Sequence, residues 1–259
     1  MADVPPASAL SAEPPVARLA RPVVWLSLAI AVAVYVAMPI LAHRWATGIP
    51  FLGVTLEQTF NVNDGHGTGW GPSPEGLDRQ DHIVSIDGRA IDSQSALDQA
   101  LVDAGVGRTV QVTYQRRLPD GGLQTRETAV RLMAFPLVDL IRLLWLPLLI
   151  GVTYLAIGLW VFRLRGRQRP GIAFTLFSIW VAVTLGVFFD VYSTHILMPL
   201  WPLGLGMAGA AALHLALVFP QEPRLVMRQP GLRMIPYAPA AVLIGYALVV
   251  LYDLADPWA

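Results

Sequence analysis

The chain has 259 residues, 55 % of them hydrophobic and only 14 % charged, with a mean hydropathy of +0.54 and a formal net charge of zero. That composition excludes an ordinary soluble domain and makes a bilayer the expected solvent for much of the chain. Cysteine is absent, which excludes a disulfide framework, a thiolate metal site and a thiol nucleophile. All 18 basic residues are Arg, consistent with a GC-rich bacterial genome, and 13 of the 18 acidic residues precede Arg131.

Residues 1–22 are rich in Pro and Ala with little to bury, and are expected to form a disordered cytoplasmic tail. Five apolar runs come next, at 23–42, 143–162, 171–189, 196–219 and 235–252, each near the ~20 residues a helix needs to cross a bilayer. The first exceeds a secretory h-region in length and reads as a retained anchor. Arg18 and Arg21 precede it, Arg163, Arg165, Arg167 and Arg169 lie between the second and third runs, and Arg224, Arg228 and Arg233 lie between the fourth and fifth. Basic loops stay in the cytoplasm, so the expected topology has the N-terminus inside and the region between the first two runs outside a bacterial inner membrane. Five spans leave Ala259 outside, which reads either as a complete five-span protein or as a piece of a longer one; the second is the expectation, with at least one more helix following.

Between the first two runs lies a segment of ordinary soluble pattern. Residues 51–57 read as a strand, 61–74 as a Gly-, Asn- and Pro-rich loop, and His82-Ile83-Val84-Ser85-Ile86 as a strand closed by Asp87-Gly88. Ser93 is placed to cap a helix reaching Ala104, with Leu97, Ala100, Leu101 and Ala104 at helical spacing and Gly105 as C-cap. Val110, Val112 and Tyr114 alternate as a strand's buried face, and Asp120-Gly121-Gly122 turns the chain into a return strand over 123–132.

The residues Phe51-Leu52-Gly53-Val54, Ser73-Pro74 with Gly76-Leu77, and Asp81-His82-Ile83-Val84-Ser85-Ile86-Asp87-Gly88 resemble a bacterial PDZ domain over residues 50–133. The family usually has Gly before the Asp that is Asp81 here, where this chain has Gln80, and the insertion around 65–71 is longer than usual. The fold class expected is a multi-pass α-helical membrane protein with an inserted small α+β PDZ-like domain, a five- to six-stranded partly open barrel with one or two helices. The resemblance implies recognition of an extended peptide, added as a strand beside the first strand and against the helix. Backbone amides of Leu52, Gly53 and Val54 would receive a terminal carboxylate, and Leu97, Ala100 and Leu101 would line the groove. The alternative is a rigid spacer in which Gly53 is a packing glycine and the leucines are core, since fold alone does not fix function.

No His-Glu-x-x-His, Ser/Lys dyad, Gly-x-Ser-x-Gly or Walker sequence occurs, so no catalytic residue, metal or cofactor is assigned. His214, inside the fourth run, is an intramembrane ionisable residue and so a candidate polar site. It reads either as a proton acceptor or ligand, or as a neutral ring bonded to a neighbouring helix. His195 lies about 28 Å away at helical rise, too far to share a metal. Gly204, Ala208 and Ala212 form a small-residue face on the same run. Asp139 and Arg142, at the start of the second run, read as an interfacial pair or a solvated junction.

Leu213-His214-Leu215-Ala216-Leu217-Val218-Phe219-Pro220, with Glu222-Pro223-Arg224, resembles the multi-span N-terminal regions of bacterial signalling proteins that carry a histidine kinase, serine phosphatase or cyclase effector, here absent. The function expected is therefore a membrane sensor and signal-transducing region. The alternatives are a PDZ-bearing adaptor of envelope protein quality control or secretion, and a small transport-related protein using His214. Partners expected are the lipid bilayer, a C-terminal or extended peptide of an envelope protein and a second copy of the chain, with no nucleic acid.

Overall fold

A computed structural model of the chain describes residues 15–63, 70, 76–251 and 258. Most of the expected tail, the insertion around 65–71 apart from Trp70, the Ser73-Pro74 pair, and Asp253 and Asp256 lie outside the described residues.

The chain enters through helix α1 (Pro15–Gly48), which begins within the segment read from composition as a tail. It then builds a four-stranded antiparallel sheet from β1 (His82–Ile86), β2 (Arg89–Ala90), β3 (Thr109–Arg117) and β4 (Leu123–Arg131), in the order β2-β1-β3-β4. Helix α2 (Gln94–Ala104) packs on this sheet. The local chemistry of each element is visible. Asp87 and Gly88 both take positive φ, +49° and +78°, as a two-residue turn with the twist of its flanking strands requires. Ser93 Oγ accepts the Ala96 amide at 3.3 Å and caps α2, and the Gly105 amide closes it on Leu101 O at 3.0 Å. Val110, Val112 and Tyr114 of β3 point into a core completed by Leu77, Ile83, Ile86, Leu97, Leu101 and Val130.

The expected first strand is corrected by the structure. Residues 51–57 make only isolated bridges, Phe51 to Met133 and Leu56 to Val62, so the sheet has four strands rather than five or six. The cause is local: Gly53 sits at φ +78°, and a left-handed residue interrupts an extended run. In the turn before Asp81, Gln80 takes a left-handed φ of +66° despite its Cβ. A side chain in that region costs about 1–2 kcal/mol, against which glycine's extra unfolded-state entropy takes back about 0.5–1 kcal/mol. Gln80→Gly is accordingly expected to stabilise this domain by roughly 0.5–1 kcal/mol, read as a higher urea midpoint at unchanged slope; a lower midpoint would show that the Gln80 side chain makes a compensating contact.

Beyond the sheet, α3 (Leu137–Leu140), a π-helical turn (Ile141–Trp145) and α4 (Leu146–Arg165) form one continuous run, Leu137–Arg165. Helices α5 (Arg169–Gly186) and α6 (Leu200–Val218) come next, then the short α7 (Arg224–Arg228) and α8 (Tyr237–Leu251). Among the described residues, five helical runs are long and apolar enough to cross a membrane. They leave large apolar side chains such as Trp25, Leu26, Leu149, Trp160, Val242 and Val249 exposed. α5 is the central helix of the bundle, packing against α1, α4 and α6. Glycines set the close approaches: a Cβ at Gly158 would meet Ser178 Cβ at 2.6 Å, one at Gly186 would meet Val34 at 2.7 Å, and one at Gly204 would meet Thr184 Oγ1 at 2.5 Å.

The two parts meet in an aromatic cluster. Phe51 and Phe135, at the two ends of the inserted domain, lie with Trp45, Trp70 and Phe189 at edge-on or tilted contacts of 4.9–6.2 Å between centroids. Asp139, four residues past Phe135, is buried, 3 % exposed, rather than solvated as a junction residue would be, and among the described residues its Oδ2 has no hydrogen-bond partner.

Candidate peptide groove

The segment 51–57 and helix α2 face each other across a narrow cleft. On one edge, the extended residues 55–57 are satisfied by their own hairpin: Asn63 N donates to Thr55 O at 3.0 Å and Glu57 N donates to Asn61 O at 2.8 Å. Backbone groups alternate along an extended chain, so the Leu56 carbonyl points the other way, toward α2. Among the described residues, the amides of Leu52, Gly53 and Val54 make no backbone hydrogen bond. A strand edge beside a helix, with amides at its start that make no backbone bond among the described residues, is an arrangement that can take an added strand and an anionic group.

Of the six residues expected to bind peptide, Leu52, Val54, Leu97 and Leu101 come together around a cavity of about 30 Å³. Gly53 and Ala100 do not line it; Ala100 is buried in the domain core. The cleft is almost filled, and the filling comes from the loop between α5 and α6. Tyr192, Ser193 and His195 complete its wall. His195 is 8 % exposed and touches both sides: with the proton on Nε2 it donates to Leu56 O at 3.2 Å and to Val191 O at 3.1 Å, while Nδ1 lies 3.1 Å from Oε1 of Gln94, the first residue of α2. Burial holds the ring below the usual imidazole value, while Asp190 and the two carbonyls pull it up. The neighbouring Asp98 carboxyl is pushed up by burial and drawn back by its bond from Gln94 Nε2 at 2.8 Å.

This loop is built rather than draped. Asp190 is fully buried and organises it from within: Oδ2 accepts the Leu197 amide at 2.6 Å, Oδ1 accepts Thr194 Oγ1, and its carbonyl accepts the amides of Ser193 at 3.2 Å and His195 at 3.1 Å. Ser193 Oγ donates to Phe189 O at 2.9 Å. His195 itself sits at φ +57°, a conformation that costs a residue bearing a Cβ and is held only where surroundings impose it. Gln94 and His195 are not among the residues that the sequence singles out for binding. The signal open to sequence reading is the polar stretch Asp190 to His195, short and free of Arg between two apolar runs.

His214 lies elsewhere, in α6, with Nδ1 3.2 Å from Tyr237 Oη of α8. Nearby, Glu222 accepts Arg169 Nη1 and Arg233 Nη2, each at 3.0 Å, tying the connection before α5 to the one before α8. Among the described residues, no group of three or more His, Asp or Glu converges as a metal site would.

The family model described as PDZ domain matches residues 69–130, which takes in β1, β2, α2, β3 and all of β4 but its last residue, and not residues 51–57. No curated protein and no solved structure matches the chain. Residues 69–130, with the four-stranded antiparallel sheet and helix α2, are a PDZ domain carried in a chain with five candidate membrane-spanning helices.

Proposed function

We propose that this chain is the sensing and signal-transducing region of a bacterial inner-membrane protein, in which the PDZ domain faces the envelope and binds a C-terminal or extended peptide. The observation that carries this reading is the contact between the peptide groove and the bundle: the groove's edge carbonyl, Leu56 O, and its helix, at Gln94, are both met by His195 from the loop joining α5 to α6. A spacer domain has no need of such a contact. A sensor does, because a ligand shifts a conformational equilibrium only through a differential interaction with its two states.

The charge distribution supports the orientation. The arginine-rich connections are bound to each other through Glu222 at one end of α5, and the PDZ domain meets the other end at Phe189. Positive charge favours the cytoplasmic side, so the domain takes the opposite one.

Two measurements test this. In intact spheroplasts, an impermeant maleimide is expected to label Thr125→Cys in β4 and to spare Arg167→Cys until the cells are lysed; the reverse pattern would put the domain in the cytosol and end the sensing reading. Titrating the full chain in nanodiscs with peptides bearing a free apolar C-terminal residue is expected to move the amide resonances of Leu52, Gly53 and Val54. Shifts confined to the helices would instead favour a spacer.

A further inference from the structure

We propose that the loop 190–195 is an intramolecular ligand of the PDZ groove, so that a peptide binds by displacing His195 and thereby releases the junction between α5 and α6. This rests on the peptide-binding reading above and adds to it how the site is regulated.

Three features of the geometry carry it. First, His195 takes the groove's own recognition groups. An added strand would use the outward carbonyl of Leu56, and His195 Nε2 already donates to it at 3.2 Å. A ligand side chain at that level would meet the start of α2, where Gln94 lies against Nδ1 at 3.1 Å. A peptide strand and the imidazole therefore compete for the same atoms. Second, the remaining space between Leu52, Val54, Leu97 and Leu101 is about 30 Å³, room for one or two water-sized groups and not for an apolar side chain with its backbone. Binding requires the loop to leave. Third, the loop's anchor is the bundle and not the PDZ domain: the buried carboxylate of Asp190, at the end of α5, holds Thr194 and the amide of Leu197, just ahead of α6. Moving His195 out of the groove therefore pulls on the connection between two helices that pack along much of their length. The left-handed backbone of His195 stores strain that leaving the groove can relax. Burial favours the neutral ring in the closed arrangement, whose single N–H donates from Nε2 toward Leu56 O while Nδ1 only touches Gln94, so the latch is that hydrogen bond and not an ion pair with Asp98.

A ligand that binds only the open form has its apparent affinity reduced by the open fraction. If the groove is open about one-tenth of the time, freeing it raises affinity about tenfold. The test uses the full chain in nanodiscs, with short fluorescein-labelled peptides ending in a free Val, Leu or Phe carboxylate, read by anisotropy. His195→Gly, which removes the ring and suits the left-handed backbone, is expected to bind about tenfold more tightly than the parent chain. Because the chain has no cysteine of its own, Asp98→Cys with Ser193→Cys, one on each side of the same cavity, gives a second variant that does not depend on the fold tolerating loss of His195. Oxidation, or a short reducible bis-thiol crosslinker that spans the cavity where the sulfurs do not meet directly, is expected to join the pair and abolish peptide binding, and reductant to restore it. Equal affinity in the parent chain and in His195→Gly, or undiminished binding after the pair has joined, overturns the latch while leaving peptide recognition standing. Failure of the pair to join overturns the loop's placement. No binding by any form, reduced or freed, overturns peptide recognition itself.

Discussion

Arg116→Met is expected to cost the PDZ domain about 3 kcal/mol, the lower end of the range for removing one member of a buried ion pair while the other stays. The carboxylate left behind is Asp81, 1 % exposed, directly before β1. Arg116 donates to both oxygens of that carboxylate in the fork geometry that Lys cannot copy: Nε to Oδ1 at 2.8 Å and Nη2 to Oδ2 at 2.7 Å. The same Nη2 reaches Gly76 O at 2.5 Å, where Tyr114 Oη also donates at 2.7 Å, and the guanidinium lies 5.5 Å from the centre of the Tyr114 ring. Asp81 in turn accepts the Asp78 amide at 2.7 Å. One side chain of β3 thereby holds the segment leading into β1.

A small domain has only about 5–15 kcal/mol of stability in all, so the loss should be visible without any functional assay. It is expected as early protease cleavage between residues 76 and 90, with the helices still protected, and as fast amide exchange in β1 and β3. The double variant Asp81→Leu with Arg116→Met removes the stranded charge along with its partner and is expected to recover most of the loss. If the single variant resists protease like the parent chain, the pair is not what fixes this segment. The PDZ sheet would then rest on its apolar core alone.

How far such features are legible in the sequence depends on how local they are. The cap at Ser93, the Asp87-Gly88 turn and the alternation of Val110, Val112 and Tyr114 can be read because each rule acts within a few residues of chain. The helical runs are legible because span length is set by the bilayer and not by neighbouring residues. Residues 51–57 read as a strand on their apolar content, and the left-handed Gly53 defeats that: glycine takes either sign of φ, and its identity alone does not say which. The π-helical turn at Ile141–Trp145 likewise leaves no composition signal. The groove residues Leu52, Val54, Leu97 and Leu101 come from a family pattern, whereas the side chain that fills the groove, His195, comes from a loop that no family pattern places there. Contacts between an inserted domain and the helices around it are long-range and particular to the chain, and periodicity and spacing carry no record of them.

The same holds for a close approach of three helices in the bundle, which yields the second large effect. Tyr35 of α1 reaches across to α5 and donates through Oη to Ala182 O at 3.2 Å. It can do so because Gly151 of α4 leaves a notch: a Cβ there would overlap Tyr35 Oη outright and stand 3.1 Å from Cζ. No flexible tip is available to yield, since the ring is packed between helices and its hydroxyl is engaged. Gly151→Ala must therefore expel the tyrosine, losing a hydrogen bond in an apolar setting and the close packing of three helices together, about 2–4 kcal/mol. The chemistry of the clash predicts its own suppressor. Tyr35→Phe deletes the oxygen that the new methyl would strike and leaves the 3.1 Å approach to Cζ, which a shift of a few tenths of an ångström relieves. Tyr35→Phe alone is expected to cost about 1 kcal/mol, Gly151→Ala alone to lower the thermal midpoint of the detergent-solubilised chain by far more, and the pair together to fall near Tyr35→Phe. Additive losses in the double variant would mean that the two residues do not meet, and that α1 is held against α4 and α5 by something other than this notch.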